Sequence, residues 1–208
     1  MLLSRSHKFI FIHIYKNAGT SIRNALMPFT GSKYQLLHRA LKKMHLPSPF
    51  FDPQPFNDHI TASEIIQKMG YDQFKTNFSF AIVRNPWDWQ VSLYNYMIQR
   101  PQHFQHDLVK GMGSFAAYIK WRCEREVRFQ KDFICSNNGE LLVDFVGRFE
   151  RLEKDFQIIC SKIGIETTLP KLNISNQRKP YQAYYNDETR NLVEKTFAAD
   201  VTLFGYQF

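Results

Sequence analysis

Two short apolar runs constrain this chain more than any other feature, because each leads straight into a polar turn and then a helix-like stretch. Residues 8–15 read KFIFIHIY and residues 78–83 read FSFAIV. Phe, Ile and Val at nearly every position suit strands covered on both faces, as in a parallel sheet, and not the alternating pattern of a half-exposed strand. The first run is followed by Lys16-Asn17-Ala18-Gly19-Thr20-Ser21 and then by the helix-like IRNALM. The second is followed by Arg84-Asn85-Pro86, where Asn85 suits an N-cap and Pro86 a first helical residue, opening a helix to about Gln99.

The rest of the chain continues the alternation. Thr61 and Glu64 have the spacing of a capping box, which predicts a short helix ending near Gly70. Residues 114–131 predict a helix and residues 142–149 a third strand. Residues 150–163 predict a helix stopped by Gly164. Asp187 is positioned to cap a last helix over 188–199. Residues 34–45 are basic and helix-compatible, while Pro47, Pro49, Pro53 and Pro55 make the following stretch a loop. Residues 169–185 read as loop. Strands alternating with helices predict an α/β fold with a central, mainly parallel sheet flanked by helices. A length of 208 residues suits one domain spanning 1–208, with 31–57 and 99–113 as loops on the substrate side.

A net charge of +8 favours anionic partners such as nucleotides, sulfated compounds, nucleic acid or membrane surfaces, without choosing among them. The cysteines, Cys123, Cys135 and Cys160, are odd in number and none sits in a C-x-x-C pair, so free thiols are expected and neither a disulfide scaffold nor a zinc site. His103 and His106 are three apart with no pattern to complete a metal site, and both read as surface residues. No stretch approaches the ~20 apolar residues of a membrane span. The apolar run after Lys8 leads into a glycine loop and has no cleavage site of small residues, so it reads as a strand and not a signal peptide; the expected compartment is the cytoplasm.

The chemistry is concentrated in the two turns. A strand–turn–helix at Lys16 to Ser21 aims backbone N–H groups at one point with a helix dipole behind them. Gly19 lets backbone approach a ligand, Lys16 adds a charge, and Thr20 and Ser21 add hydroxyl donors. Together they make a phosphate cradle. It is not a Walker A loop, since Lys16 precedes its one glycine and does not follow a second. In the other turn, Arg84 ends a strand, where open α/β sheets bind ligands, and Ser92 lies two helical turns further on. A guanidinium fork beside a neutral donor suits a second phosphate. An Arg84–Asp88 ion pair is the competing reading of that segment.

Taken together, the two turns resemble the donor-binding signatures of the sulfotransferase superfamily. Lys16 to Ser21 is similar to its K-x-[AG]-G-[TS]-[ST] element, and Arg84, Asn85, Pro86, Asp88 and Ser92 to its R-N-P-x-D-x-x-x-S element. VGRFERLEKDF, residues 146–156, resembles the branch containing carbohydrate sulfotransferases, sulfotransferase family 2. So does the stretch from Arg178-Lys179-Pro180-Tyr181 to Phe204-Gly205-Tyr206. The resemblance runs from about Lys8 to Phe208 and is weakest over 31–57.

It implies a single P-loop-NTPase-like domain and transfer of a sulfuryl group from 3′-phosphoadenosine 5′-phosphosulfate (PAPS), without a metal. The acceptor would be a hydroxyl or amine on a saccharide or small molecule. The resemblance assigns the 5′-phosphosulfate to Lys16, Asn17, Ala18, Gly19, Thr20 and Ser21, and the 3′-phosphate to Arg84 and Ser92. Arg178 and Lys179 are similar to an R-K-G element that also holds the 3′-phosphate, but Pro180 replaces the glycine and removes its N–H.

Such a transfer needs a base for the acceptor proton. His59, in the interval between the two signatures, is the first candidate, with Asp58 and Glu64 as carboxylate alternatives. His13, alternating with Phe and Ile inside the first strand, reads as a satisfied core residue. The aromatics Trp87, Trp89, Tyr94 and Tyr96 read mainly as packing at helical spacing. Competing functions are a nucleotide phosphotransferase, which lacks its Walker lysine here, and a basic nucleic-acid-binding protein, for which no helix-turn-helix, RNP or zinc pattern is present.

Overall fold

The computed structural model describes residues 1–30, 44, 57–170 and 179–208. In chain order its elements are β1 (Leu2–Ser4), β2 (Phe9–Ile12), α1 (Gly19–Leu26), α2 (Ala62–Met69), α3 (Tyr71–Lys75), β3 (Phe78–Val83), α4 (Pro86–Ile98), α5 (His106–Gly111), α6 (Phe115–Arg125), β4 (Phe145–Arg148), α7 (Leu152–Ile163), α8 (Asp187–Thr196) and α9 (Ala198–Phe204). The four strands form one sheet in the order β1-β2-β3-β4, mostly parallel and flanked by helices. The expected α/β architecture is therefore present.

The chain divides into two compact units. The first comprises Met1–Ile82 and Phe133–Asn173 and carries nearly all of the sheet. There β2 pairs in parallel with β3, with Phe9 opposite Phe78 and Ile12 opposite Ala81. Phe9 and Phe11 face Phe80, with ring centroids 6.2 and 5.2 Å apart, and join Ile22 and Leu26 of α1 and Phe156, Ile159 and Ile163 of α7 in one core. Ile10 and Ile12, which point the other way, are also fully buried. That two-sided burial explains the unbroken apolar run. Gly147 of β4 has a packing reason: a Cβ there would lie 2.5 Å from Ile82 Cδ1. Asp155 of α7 accepts hydrogen bonds from Arg148 N and Arg151 Nε at 2.6 and 2.9 Å, which ties the start of the helix to the end of β4.

The second unit comprises Val83–Asp132 and Ile174–Phe208. It is helical, with α4 packed against α6 and α8. Asn85 caps α4 by accepting from Trp87 N at 3.1 Å, and Pro86 follows it. Trp87 and Trp89 are buried in this unit, so they serve packing, and Tyr94 of α4 lies edge-on to Phe115.

Several sequence expectations need correction. The N-terminal strand β1, antiparallel to β2, was not foreseen, because three residues give too short a pattern. The strand expected over 8–15 is confined to Phe9–Ile12; Lys8 and Lys16 take left-handed backbone conformations on either side of it. The third strand is Phe145–Arg148 and not 142–149, and the helix expected to run to Lys131 ends at Arg125. Asn186, not Asp187, caps the C-terminal helix, and that helix breaks into α8 and α9 around Phe197. The stretch 99–113 contains α5, where His106 is buried and its Nδ1 lies 2.9 Å from the Met97 carbonyl, so it is not a surface residue. The capping box of Thr61 and Glu64 and the left-handed Gly164 stop are as expected. All three cysteines are free, with Cys135 and Cys160 buried and Cys123 half-buried. Among the described residues no helix is long and apolar enough to cross a membrane. The proposed helix and loop within 31–56 lie almost wholly outside the described residues.

Candidate active site

The first unit builds one group of candidate residues at the carboxyl end of β2. The chain turns there by placing two non-glycine residues, Lys16 (φ 66°) and Ala18 (φ 59°), in the left-handed region, a conformation that side chains disfavour and that clusters at ligand sites. Asn17 between them is buried, and its Nδ2 donates to the Ile82 carbonyl at 2.9 Å, which pins the loop to the end of β3. Ala18 then serves as the N-cap of α1 without a side-chain hydrogen bond to the helix. The N-terminal amides of α1 therefore have no side-chain cap, unlike those of α2, α4, α6 and α8. The hydroxyls of Thr20, exposed, and Ser21, half-buried, have no protein partner among the described residues. Uncapped amides and open hydroxyls at a helix N-terminus fit an anionic oxygen ligand.

Gly19 has an internal role that the sequence did not reveal. A Cβ on it would fall 1.7 Å from Nε2 of His13. The glycine makes room for an imidazole as well as for any ligand.

His13 is consequently not a satisfied core residue. Its ring stacks on Phe11 at 5.8 Å and lies 4.5 Å from the ring of His59, and its buried Nδ1 finds no hydrogen-bond partner among the described residues. Burial, reinforced by His59, drives its pKa down to about 3, so it is neutral at physiological pH.

His59 comes to the same strand end from a segment 46 residues away. Its Nδ1 lies 2.9 Å from the His13 carbonyl oxygen, and Tyr15 meets its ring edge-on at 5.8 Å. A carbonyl only accepts, so Nδ1 carries the proton, and in the neutral form of the ring the lone pair is on Nε2. His59 is exposed.

The carboxylate alternatives are committed elsewhere. Glu64 accepts from Thr61 N and Oγ1 at 2.8 and 2.9 Å, which holds its carboxyl below the usual range. Asp58 is ion-paired with Arg23; burial works to raise its pKa, but the guanidinium outweighs that and the net shift is downward. Both are weaker bases for it.

The second unit holds the other group. Arg84 is buried, and its Nε donates to Asp88 at 2.6 Å, so the ion pair weighed against a phosphate role does form. Its main chain is held by Gln130, which accepts from Arg84 N at 2.9 Å and donates to Arg84 O at 2.7 Å. Asn85 also donates to the Gln207 carbonyl at 2.8 Å. Ser92 is half-buried, and its hydroxyl has no protein partner among the described residues. Lys179 is exposed, ahead of the turn Tyr181–Tyr184, while Arg178 lies outside the described residues. Gln130 and Asp200, which bonds to it, carry no motif and were missed; 46 and 116 residues from Arg84 in sequence, they gave no signal to find.

An uncharacterized protein of Archaeoglobus fulgidus is 29% identical over 107 residues, half of this chain and 82% of that protein. The model of the Sulfotransferase family, family 2, matches residues 1–207, which include both turns, the β4–α7 segment and the C-terminal helices. With the match spanning the chain almost from end to end, this protein belongs to the sulfotransferase family, whose general chemistry is sulfuryl transfer.

Proposed function

We propose that the chain transfers a sulfuryl group from PAPS to a hydroxyl, or an amine, of a carbohydrate or small-molecule acceptor, and that residues 1–208 form one P-loop-NTPase-like domain for that purpose. The observation that carries this reading is the β2–turn–α1 element. Two left-handed residues turn the chain into a helix whose first amides have no side-chain cap, beside two open hydroxyls.

In this reading Lys16 and the amides and hydroxyls from Asn17 to Ser21 receive the 5′-phosphosulfate. Arg84 and Ser92, with Arg178 and Lys179, receive the 3′-phosphate. Asp88 engages the Arg84 guanidinium through Nε and so fixes its plane. His59 Nε2 takes the acceptor's proton as the acceptor oxygen bonds to sulfur. The bond from sulfur to the bridging oxygen breaks, and that oxygen leaves on adenosine 3′,5′-bisphosphate with its negative charge. Lys16 and the loop amides stabilise the charge where it grows, as preorganised donors do in phosphoryl transfer. The His13 carbonyl keeps His59 in the tautomer that accepts at Nε2.

The test is thermal denaturation with adenosine 3′,5′-bisphosphate in the absence of Mg²⁺. Ligand at about 100 times its Kd is expected to stabilise the fold by about 2.7 kcal/mol. Lys16→Ala and Arg84→Ala should each shrink the shift. His59→Ala should keep it and lose about 10²–10⁴-fold in turnover with labelled PAPS. No shift at saturating ligand would overturn the donor assignment, and full transfer by His59→Ala would remove His59 as the base.

A further inference from the structure

Within the second unit, Arg84 is held from two directions. Its side chain is fixed by Asp88 of α4. Its main chain has just left the sheet, and the partner of its N–H and C=O is a side chain. The Gln130 carboxamide accepts from one and donates to the other, at 2.9 and 2.7 Å, the reciprocal pattern a neighbouring strand would supply. Gln130 is itself immobilised. Its backbone N–H donates to Asp200 Oδ2 at 2.8 Å and that of Lys131 donates to Oδ1 at 3.0 Å, so both oxygens of one carboxylate clamp the turn that carries the amide. Gln130 and Asp200 are both 0% exposed.

A carboxylate and a primary amide are costly groups to bury, and apolar side chains would pack such a space at least as stably. What the polar chain supplies is directional constraint, since every bond in it fixes an angle as well as a distance. It ends on the one arginine of the second turn.

We infer that Asp200 and Gln130 are positioning residues for Arg84, and that through it they set how strongly the donor's 3′-phosphate is held. This rests on the reading of Arg84 as a ligand of that phosphate. If it holds, loosening Gln130 weakens recognition of the 3′-phosphate and leaves the rest of the nucleotide bound as before.

The experiment measures Kd by calorimetry for adenosine 3′,5′-bisphosphate and for adenosine 5′-monophosphate, which lacks the 3′-phosphate. The proteins are wild type, Arg84→Ala, Gln130→Leu, the double variant and Asp200→Asn. Gln130→Leu is expected to weaken the bisphosphate about tenfold, the scale of a lost hydrogen bond to a charged group, and to leave the monophosphate unchanged. In the Arg84→Ala background it should add no further loss. Asp200→Asn, which swaps one accepting oxygen for an NH₂ facing an amide N–H, should give a smaller loss of the same kind, and it decides the matter should Gln130→Leu fail to fold. Equal weakening of both nucleotides, or of neither, overturns the inference. Loss of the 3′-phosphate's contribution in Arg84→Ala but not in Gln130→Leu or Asp200→Asn overturns it while leaving the donor reading standing. No loss in Arg84→Ala overturns both.

Discussion

Gly19 illustrates how a single residue can serve a motif and a packing need at once. As the glycine of a candidate phosphate-binding turn it invites the explanation that backbone must approach ligand. Yet the space beside its Cα is already filled by His13, which is wedged between Phe11 and His59. Gly19→Ala should therefore destabilise the protein by about 1–3 kcal/mol, as overpacked sites do, measured by urea denaturation. Adding His13→Ala should recover part of that loss, because the overlap is with the imidazole and not with backbone. A double variant as unstable as the sum of the single ones would show that the clash lies elsewhere. The same contact links the glycine to the candidate base, since His13 also supplies the carbonyl that orients His59.

At the scale of elements, the two turns are built on different principles. The turn into α1 leaves its helix amides open, with no side-chain cap. The turn into α4 closes its own, with Asn85 accepting from Trp87 N and Asp88 N and donating to the Gln207 carbonyl. The Asn-Pro pair is thus a helix-starting and chain-tying device, which leaves Arg84 and Ser92 as the candidate anion ligands of that segment. Asn85→Ala should lose a cap, at about 1–2 kcal/mol, together with the tie to Gln207. Asn85→Asp, which keeps the cap oxygen but has no N–H to donate, should recover only the cap's share. Equal stability of the aspartate variant and wild type in urea would show that the Gln207 tie contributes nothing.

For the whole molecule, two buried ionisable groups give opposing responses to pH. Burial raises the Asp200 carboxyl to about 6, against the pull of the Gln130 and Lys131 amides and with neighbouring Asp132 adding to the rise. Between 3.8 and about 6 the folded chain keeps a proton that the unfolded chain releases, so this group favours folding below that window and loses its contribution as pH rises through about 6. His13 acts the other way. Its pKa falls from 6.5 to about 3, so it favours folding above 6.5 and loses its contribution as pH falls toward 3. Denaturation midpoints from pH 4 to 6 should rise more steeply with pH in Asp200→Asn than in wild type, and less steeply in His13→Ala. Parallel profiles for the three proteins would show that neither group titrates as its burial implies.

An α/β chain, the places of its two buried strands and a polar turn leading from each into a helix are all legible in the sequence. Those features are local: an unbroken apolar run, a cap, a proline and a glycine act over a few residues and can be read there. Strand limits were less legible, because β2 ends at Ile12 while the apolar run carries on through Ile14 and Tyr15. Which groups meet is set by the packed fold. It brought His59 to the carbonyl of His13, seated the His13 imidazole in the space left by Gly19, and hung the Arg84 backbone on Gln130 and Asp200. The first and last of these contacts join residues tens of positions apart, and all are chosen by shape and hydrogen-bond complementarity in the packed interior, for which no period or spacing in the chain is a substitute.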